Sequence, residues 1–162
     1  PSDGGEQFQS PGGQAEILGR TVILALAHRI ERFFWHTLFD PPKGKTSTRR
    51  EIRSFATNSL HSKASRGSPL ELKPSGYLYS FLAKELKGVK WADIEPVKVS
   101  GGKGVALGNN KWLAYSDRSK FQISFPANRA KALVTGNSVL IKRINNRTMV
   151  FGNKQVLLLE KQ

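Results

Sequence analysis

Apolar residues recur at helical spacing from Gln14 to Phe39, where Val22, Ile23, Leu26, Ile30, Phe33 and Phe34 share one face and Ile17, Leu24 and Trp35 form a narrower stripe. The spacing predicts one long helix buried on two sides and ended by Asp40-Pro41-Pro42. Arg29 falls at the edge of its main face, a position that requires it to snorkel or to meet an anion. A second helix is predicted from Thr48-Arg49-Arg50-Glu51, a capping-box pattern, with Ile52, Phe55, Ala56, Ser59 and Leu60 as its apolar face. A third runs from Ser75, the expected N-cap, to Leu86, with Tyr77, Leu78, Phe81 and Leu82 on one side and Gly88 as the stop.

Past Pro96 the period shifts toward two. Strands are expected at Val97–Ser100, Val105–Leu107, Lys111–Tyr115, Phe121–Phe125, Ser138–Ile144, Thr148–Phe151 and Gln155–Leu159. Gly108-Asn109-Asn110, Asn145-Asn146 and Gly152-Asn153 supply residues that tolerate the positive φ of tight hairpins, and Ala127–Val134 reads as a short helix between strands. The expected fold class is therefore α+β, a helical half of about three helices followed by an antiparallel β-meander or small barrel. Three regions follow: an acidic tail at 1–13 with the composition of a segment that orders against another subunit, a helical region at 14–95, and a basic β-rich region at 96–162 packed with the helices.

The absence of cysteine excludes disulfides, thiol nucleophiles and Cys-ligated zinc or iron–sulfur sites, leaving His28, His36 and His61 as too small a set for a structural metal. No metal and no cofactor is expected. The apolar run Ile17–Phe39 is broken by Arg20, His28, Arg29, Glu31, Arg32 and His36, so it does not read as a transmembrane helix. The opening Pro-Ser-Asp-Gly-Gly-Glu lacks the basic-then-apolar order of a secretion signal, and the expected location is soluble and intracellular, in the cytoplasm or in a nucleoprotein or virion particle.

Charge sharpens the functional expectation. The net charge is +14, and a surface of that sign attracts polyanions, nucleic acid first among them. One basic block, Lys43 to Arg66, holds Lys43, Lys45, Arg49, Arg50, Arg53, Lys63 and Arg66 against the single acid Glu51. Arg49, Arg50 and Arg53 crowd an expected helix N-terminus against its dipole, which points to an external anion. The other block, residues 96–154, carries eleven basic side chains against Asp117. Its cations follow the turns, as in Gly102-Lys103, Asn110-Lys111, Asn146-Arg147 and Asn153-Lys154, and phosphate contacts from such tips give affinity without sequence readout. Arg118, Lys120, Lys142 and Arg143 complete the set, with Trp112 as the candidate for base stacking.

Catalytic signatures are lacking. Gly44-Lys45-Thr46 imitates the end of a P-loop, but Phe39 occupies the first glycine position, and Gly101-Gly102-Lys103-Gly104 opens no helix. The leading expectation is a non-enzymatic component of a nucleoprotein assembly that grips phosphates through basic loops. A structural protein of a bacteriophage head–tail or tail-completion assembly is the alternative, and a basic nuclease or toxin using His61 is the third reading.

Overall fold

The computed structural model describes residues 11–32, 37–39, 59–62, 71–145 and 147–162. The chain forms helix α1 (Pro11–Ala27), strands β1 (Thr37–Phe39), β2 (Ser59–Ser62) and β3 (Glu71–Leu72), helix α2 (Pro74–Leu86), a 3₁₀ turn at Trp91–Asp93, and strands β4 (Glu95–Val97), β5 (Gly102–Ala106), β6 (Lys111–Ser116), β7 (Phe121–Ile123), β8 (Arg129–Ala132), β9 (Ile141–Ile144), β10 (Arg147–Val150) and β11 (Leu157–Glu160). A five-stranded antiparallel sheet has the order β4-β5-β6-β11-β8, and a second antiparallel sheet has the order β7-β10-β9. A small third sheet, β1-β2-β3, pairs β1 with β2 in parallel and lies beside α2.

The architecture has three layers. Along β6 the side chains alternate, so that Leu113 and Tyr115 face the helices while Trp112 and Ala114 face the three-stranded sheet. β11 does the same, with Leu158 on the helical side and Leu157 and Leu159 between the sheets. One core thus holds Leu18, Ile23, Leu78, Leu82, Val105 and Val156, and the other holds Phe121, Ile123, Phe125, Ala132 and Val150. Chain segments that change sheets close the sandwich at both sides. After β4, Val99 bridges to Ile123 of β7; after β8, Ser138 bridges back to Lys131 before the chain enters β9. Pro96 is tolerated because β4 is an edge strand.

These observations correct the expected fold class. Among the described residues there are two helices and mostly strands, rather than about three helices followed by a meander. The long first helix stops at Ala27, where the Arg29 amide donates to the Leu26 carbonyl and the Ile30 amide to the Ala25 carbonyl, with Arg29 at φ 57. That is the Schellman stop, built on arginine instead of the glycine that announces it in sequence. Thr37–Phe39 is consequently strand, and Ser59 and Leu60, placed on a helical face by periodicity, belong to β2. Ala127–Val134 contains β8 rather than a helix: Ala130 and Ala132 point inward, Arg129 and Lys131 outward, and the strand pairs with β11. The expected helix from Thr48 and most of the acidic tail lie outside the described residues.

Helix α1 docks on the sheet through its Glu16–Gly19–Arg20 face. Glu16 Oε2 accepts a 2.7 Å hydrogen bond from the Val156 amide, and a Cβ on Gly19 would stand 2.9 Å from a Val156 methyl. Arg20 donates to Asp117 at 2.7 Å and to the Lys154 carbonyl at 2.6 Å, while its guanidinium lies 5.0 Å from the Tyr115 ring centroid. Burial raises the Glu16 pKa above the ordinary carboxylate range, and the Val156 amide and Arg20 oppose that rise only in part.

Two outcomes follow. Arg29→Gly relieves a left-handed non-glycine residue and is expected to add about 0.5–1 kcal/mol to stability in denaturant titration; a loss would contradict the stop described here. Because the Glu16 pKa is raised in the folded state, its favourable contribution is complete below the unfolded pKa and is lost as pH rises through the folded value. Stability curves of wild type and Glu16→Gln should therefore converge or cross as pH rises through and above the ordinary carboxylate range, with the wild type gaining on the variant toward acid.

Candidate polyanion-binding surface

The register of the β7-β10-β9 sheet decides which cations meet. β10 opposes β7 at Met149↔Gln122 and β9 at Met149↔Lys142, while Arg147 opposes Ile144, which precedes Asn145 at φ 48. Strand alternation places Gln122, Met149, Lys142, Ile144 and Arg147 on the face turned away from the core. Lys120, Ile144, Asn145, Arg147 and Met149 line an open groove of about 390 Å³ there. The Lys120 ammonium lies 5.3 Å from the Phe151 ring centroid.

A larger groove, about 760 Å³, runs along the strand switch beside β4. His28 contributes from just past α1, Lys98 and Ser100 from the switch, Lys103 from β5, Gln122 from β7, and Ser124 from just past β7. Its floor is held by the Ser100 amide donating to the Gln122 carbonyl at 3.0 Å and by Ser124 Oγ donating to the Lys98 carbonyl at 3.4 Å.

The expected site residues do not form one cluster. Lys120, Lys142 and Arg147 converge on the outer sheet face, and Lys103 borders the larger groove. Lys111 is engaged internally: its ammonium donates to Glu85 Oε2 at 2.6 Å and lies 3.8 Å from Glu160 Oε1, and the Glu85 bond raises its pKa against the opposing effect of desolvation. Arg118 turns back to Ser100 Oγ at 3.3 Å, Arg143 is exposed on β9, and Lys154 occupies the 153–154 turn at φ 63 with its carbonyl on Arg20. Lys43, Lys45, Arg49, Arg50, Arg53, Lys63 and Arg66 lie outside the described residues. Trp112 is 8% exposed and stacks on Phe125, ring centroids 4.9 Å apart, in the core between the sheets. Sequence reasoning missed Lys98 and Gln122; a sheet-switching segment has no one-dimensional signature.

The carboxylates of this region have structural partners as well: Glu16 with the Val156 amide, Asp117 with Arg20, and Glu85 and Glu160 with Lys111. Among the described residues no cluster of three His, Cys, Asp or Glu side chains is arranged to hold a metal ion, and no helix is long and apolar enough to cross a membrane.

No protein-family model matches the sequence, and no curated protein matches it. Among solved structures, the chain is similar to one reported as a family 39 glycoside hydrolase from the gut symbiont Bacteroides cellulosilyticus WH2, with a TM-score of 0.65 and 16% identity. The likeness covers 94% of this chain and 31% of that chain, so this chain spans less than a third of the protein it resembles. The finding corrects the expectation of a non-enzyme. That expectation rested on missing catalytic motifs, and this fold recurs inside a chain reported as a hydrolase. At 16% identity the likeness shows the fold alone.

The position of Trp112 sets one expectation. Trp112→Ala should cost about 3–5 kcal/mol in denaturant unfolding, as for a large aromatic removed from a core. A base-stacking residue would instead leave stability unchanged and weaken binding to single-stranded nucleic acid.

Proposed function

We propose that this chain is a portion of a carbohydrate-processing protein of the glycoside hydrolase kind, and that its basic β-sandwich holds the glycan. The observation behind this reading is the reach of the likeness: a match over 94% of the chain takes in the helical layer as well as both sheets, which a generic two-sheet sandwich lacks. Glycoside hydrolysis uses two carboxylates flanking the scissile bond across a cleft. Glu16, Glu85, Asp117 and Glu160 are committed to the fold, and the part proposed for the described residues is binding and orientation of the polymer.

The nucleic-acid partner expected from composition has the net charge of +14 behind it, and a charged polysaccharide answers to the same electrostatics. A subunit partner for residues 1–13 has composition alone in its favour.

Native electrophoresis of the chain through gels containing dissolved polysaccharide tests the proposal. Migration is expected to slow in at least one polysaccharide gel and to recover as salt rises if the polymer is charged. Unchanged mobility in every polysaccharide, with retardation by DNA, would replace this reading by the nucleic-acid one.

A further inference from the structure

The outer face of the three-stranded sheet carries chemistry that the sandwich does not need in order to fold. Lys120, Lys142 and Arg147 are exposed there, and among the described residues none of them meets a carboxylate. Between them stand Met149, half-buried, and Ile144, 39% exposed, where a solvated sheet face ordinarily carries polar side chains. Cations around an apolar strip differ from a uniformly solvated surface.

We infer that this face is a binding site for an acidic polysaccharide chain, its carboxylates or sulfates held by Lys120, Lys142 and Arg147 and its sugar rings resting on Met149 and Ile144. The inference rests on the polysaccharide reading above and adds to it the location of the site and the charge class of the polymer.

Four features carry it. Arg147 and Lys142 stand on paired strands, so the spacing of their charges is set by the sheet register, and the arginine fork suits carboxylate and sulfate oxygens. Met149 and Ile144 offer the C–H faces of a sugar ring an apolar surface, which a phosphate backbone does not require. Single-stranded nucleic acid is held by open aromatic platforms, yet Trp112, Phe121 and Phe125 are buried between the sheets and the half-buried Phe151 ring lies under the Lys120 ammonium. Finally, Gln122, the cross-strand partner of Met149, also lines the larger groove with Lys98, Lys103 and His28. Cationic side chains thus line both grooves, with β7 between them, an open arrangement suited to a polymer rather than to an enclosed small ligand.

The test titrates four polymers, polygalacturonate, dextran sulfate, neutral dextran and duplex DNA, into three forms of the chain: wild type, Lys142→Glu with Arg147→Glu, and Lys87→Glu with Lys90→Glu. The last pair makes the same change in net charge on exposed lysines at the end of α2. Wild type is expected to bind polygalacturonate or dextran sulfate above dextran and DNA. The sheet-face pair should weaken that binding by about tenfold or more, and the control pair by no more than about threefold. Equal losses in the two pairs would show diffuse attraction and overturn the site, as would tighter binding of DNA than of both acidic polymers. Binding of neutral dextran alone overturns the acidic class while leaving the polysaccharide reading intact, whereas no polysaccharide binding at all removes that reading as well. If the glutamate pair fails to fold by circular dichroism, Lys142→Gln with Arg147→Gln decides, with a loss of about threefold expected and wild-type affinity overturning the site.

Discussion

β6 and β11 have no polar face, and the rest of the molecule is arranged around that fact. Leu113, Tyr115 and Leu158 require cover on one side, and Trp112, Ala114, Leu157 and Leu159 require it on the other. Full burial of a side chain of this size is worth roughly 1.5–3 kcal/mol, so leaving either face wet would remove a large share of a marginal stability. The helices supply one cover and the three-stranded sheet the other. Because α1 has to stay in place for the first cover to hold, its docking face exchanges Glu16 and Arg20 for the Val156 amide, Asp117 and the Lys154 carbonyl. Because open sheet edges would let the second cover slide, the chain crosses between sheets at Val99 and at Ser138.

A strand buried on both faces has no room for charge, and that constraint sorts the cations. Apart from Lys103 on β5 and Lys111 on β6, the basic residues of 96–154 stand in turns and connections, on edge strands or on the outer face of the β7-β10-β9 sheet. Lys111, at the start of a doubly buried strand, is the instructive case, since it is neutralised by Glu85 and Glu160 from two neighbouring elements. Among the described residues no such partner reaches Lys120, Lys142 or Arg147. The same fold that spends one lysine internally leaves three cations facing outward around Met149 and Ile144. Nothing in the packing requires that second arrangement.

Legibility in the sequence followed interaction range. Turns at 108–110, at 145 and at 153 were readable because Gly and Asn encode positive φ locally, and the expected third helix is α2, although Lys73 rather than the buried Ser75 is its N-cap and Tyr77 faces solvent while Leu78 and Leu82 are packed. The end of α1 was not, since Arg29 adopts the left-handed stop without the residue that usually signals it. β8 was not either: Arg129-Ala130-Lys131-Ala132 has helix-forming composition, and pairing with β11 overrides that preference. The site was the least legible part. Lys120, Lys142 and Arg147 are neighbours only through the Met149 register, and Trp112 looked available for stacking until both faces of its sheet were accounted for.

The likeness to a glycoside hydrolase chain at 16% identity is what this hierarchy leads one to expect. A doubly covered sheet constrains its inner positions to be apolar and of compatible volume, a requirement that many sequences satisfy, and it leaves the outward positions free. Fold likeness therefore carries information about the layers and little about the surface. A partner cannot be inherited along with the architecture; it has to be argued from the outward residues of this chain, where an excess of cations is interrupted by two apolar side chains. Phosphate attraction alone accounts for the cations and leaves Met149 and Ile144 without a role. A charged polymer of sugar rings accounts for both, and that asymmetry is why the acidic polysaccharide is preferred to a nucleic-acid backbone.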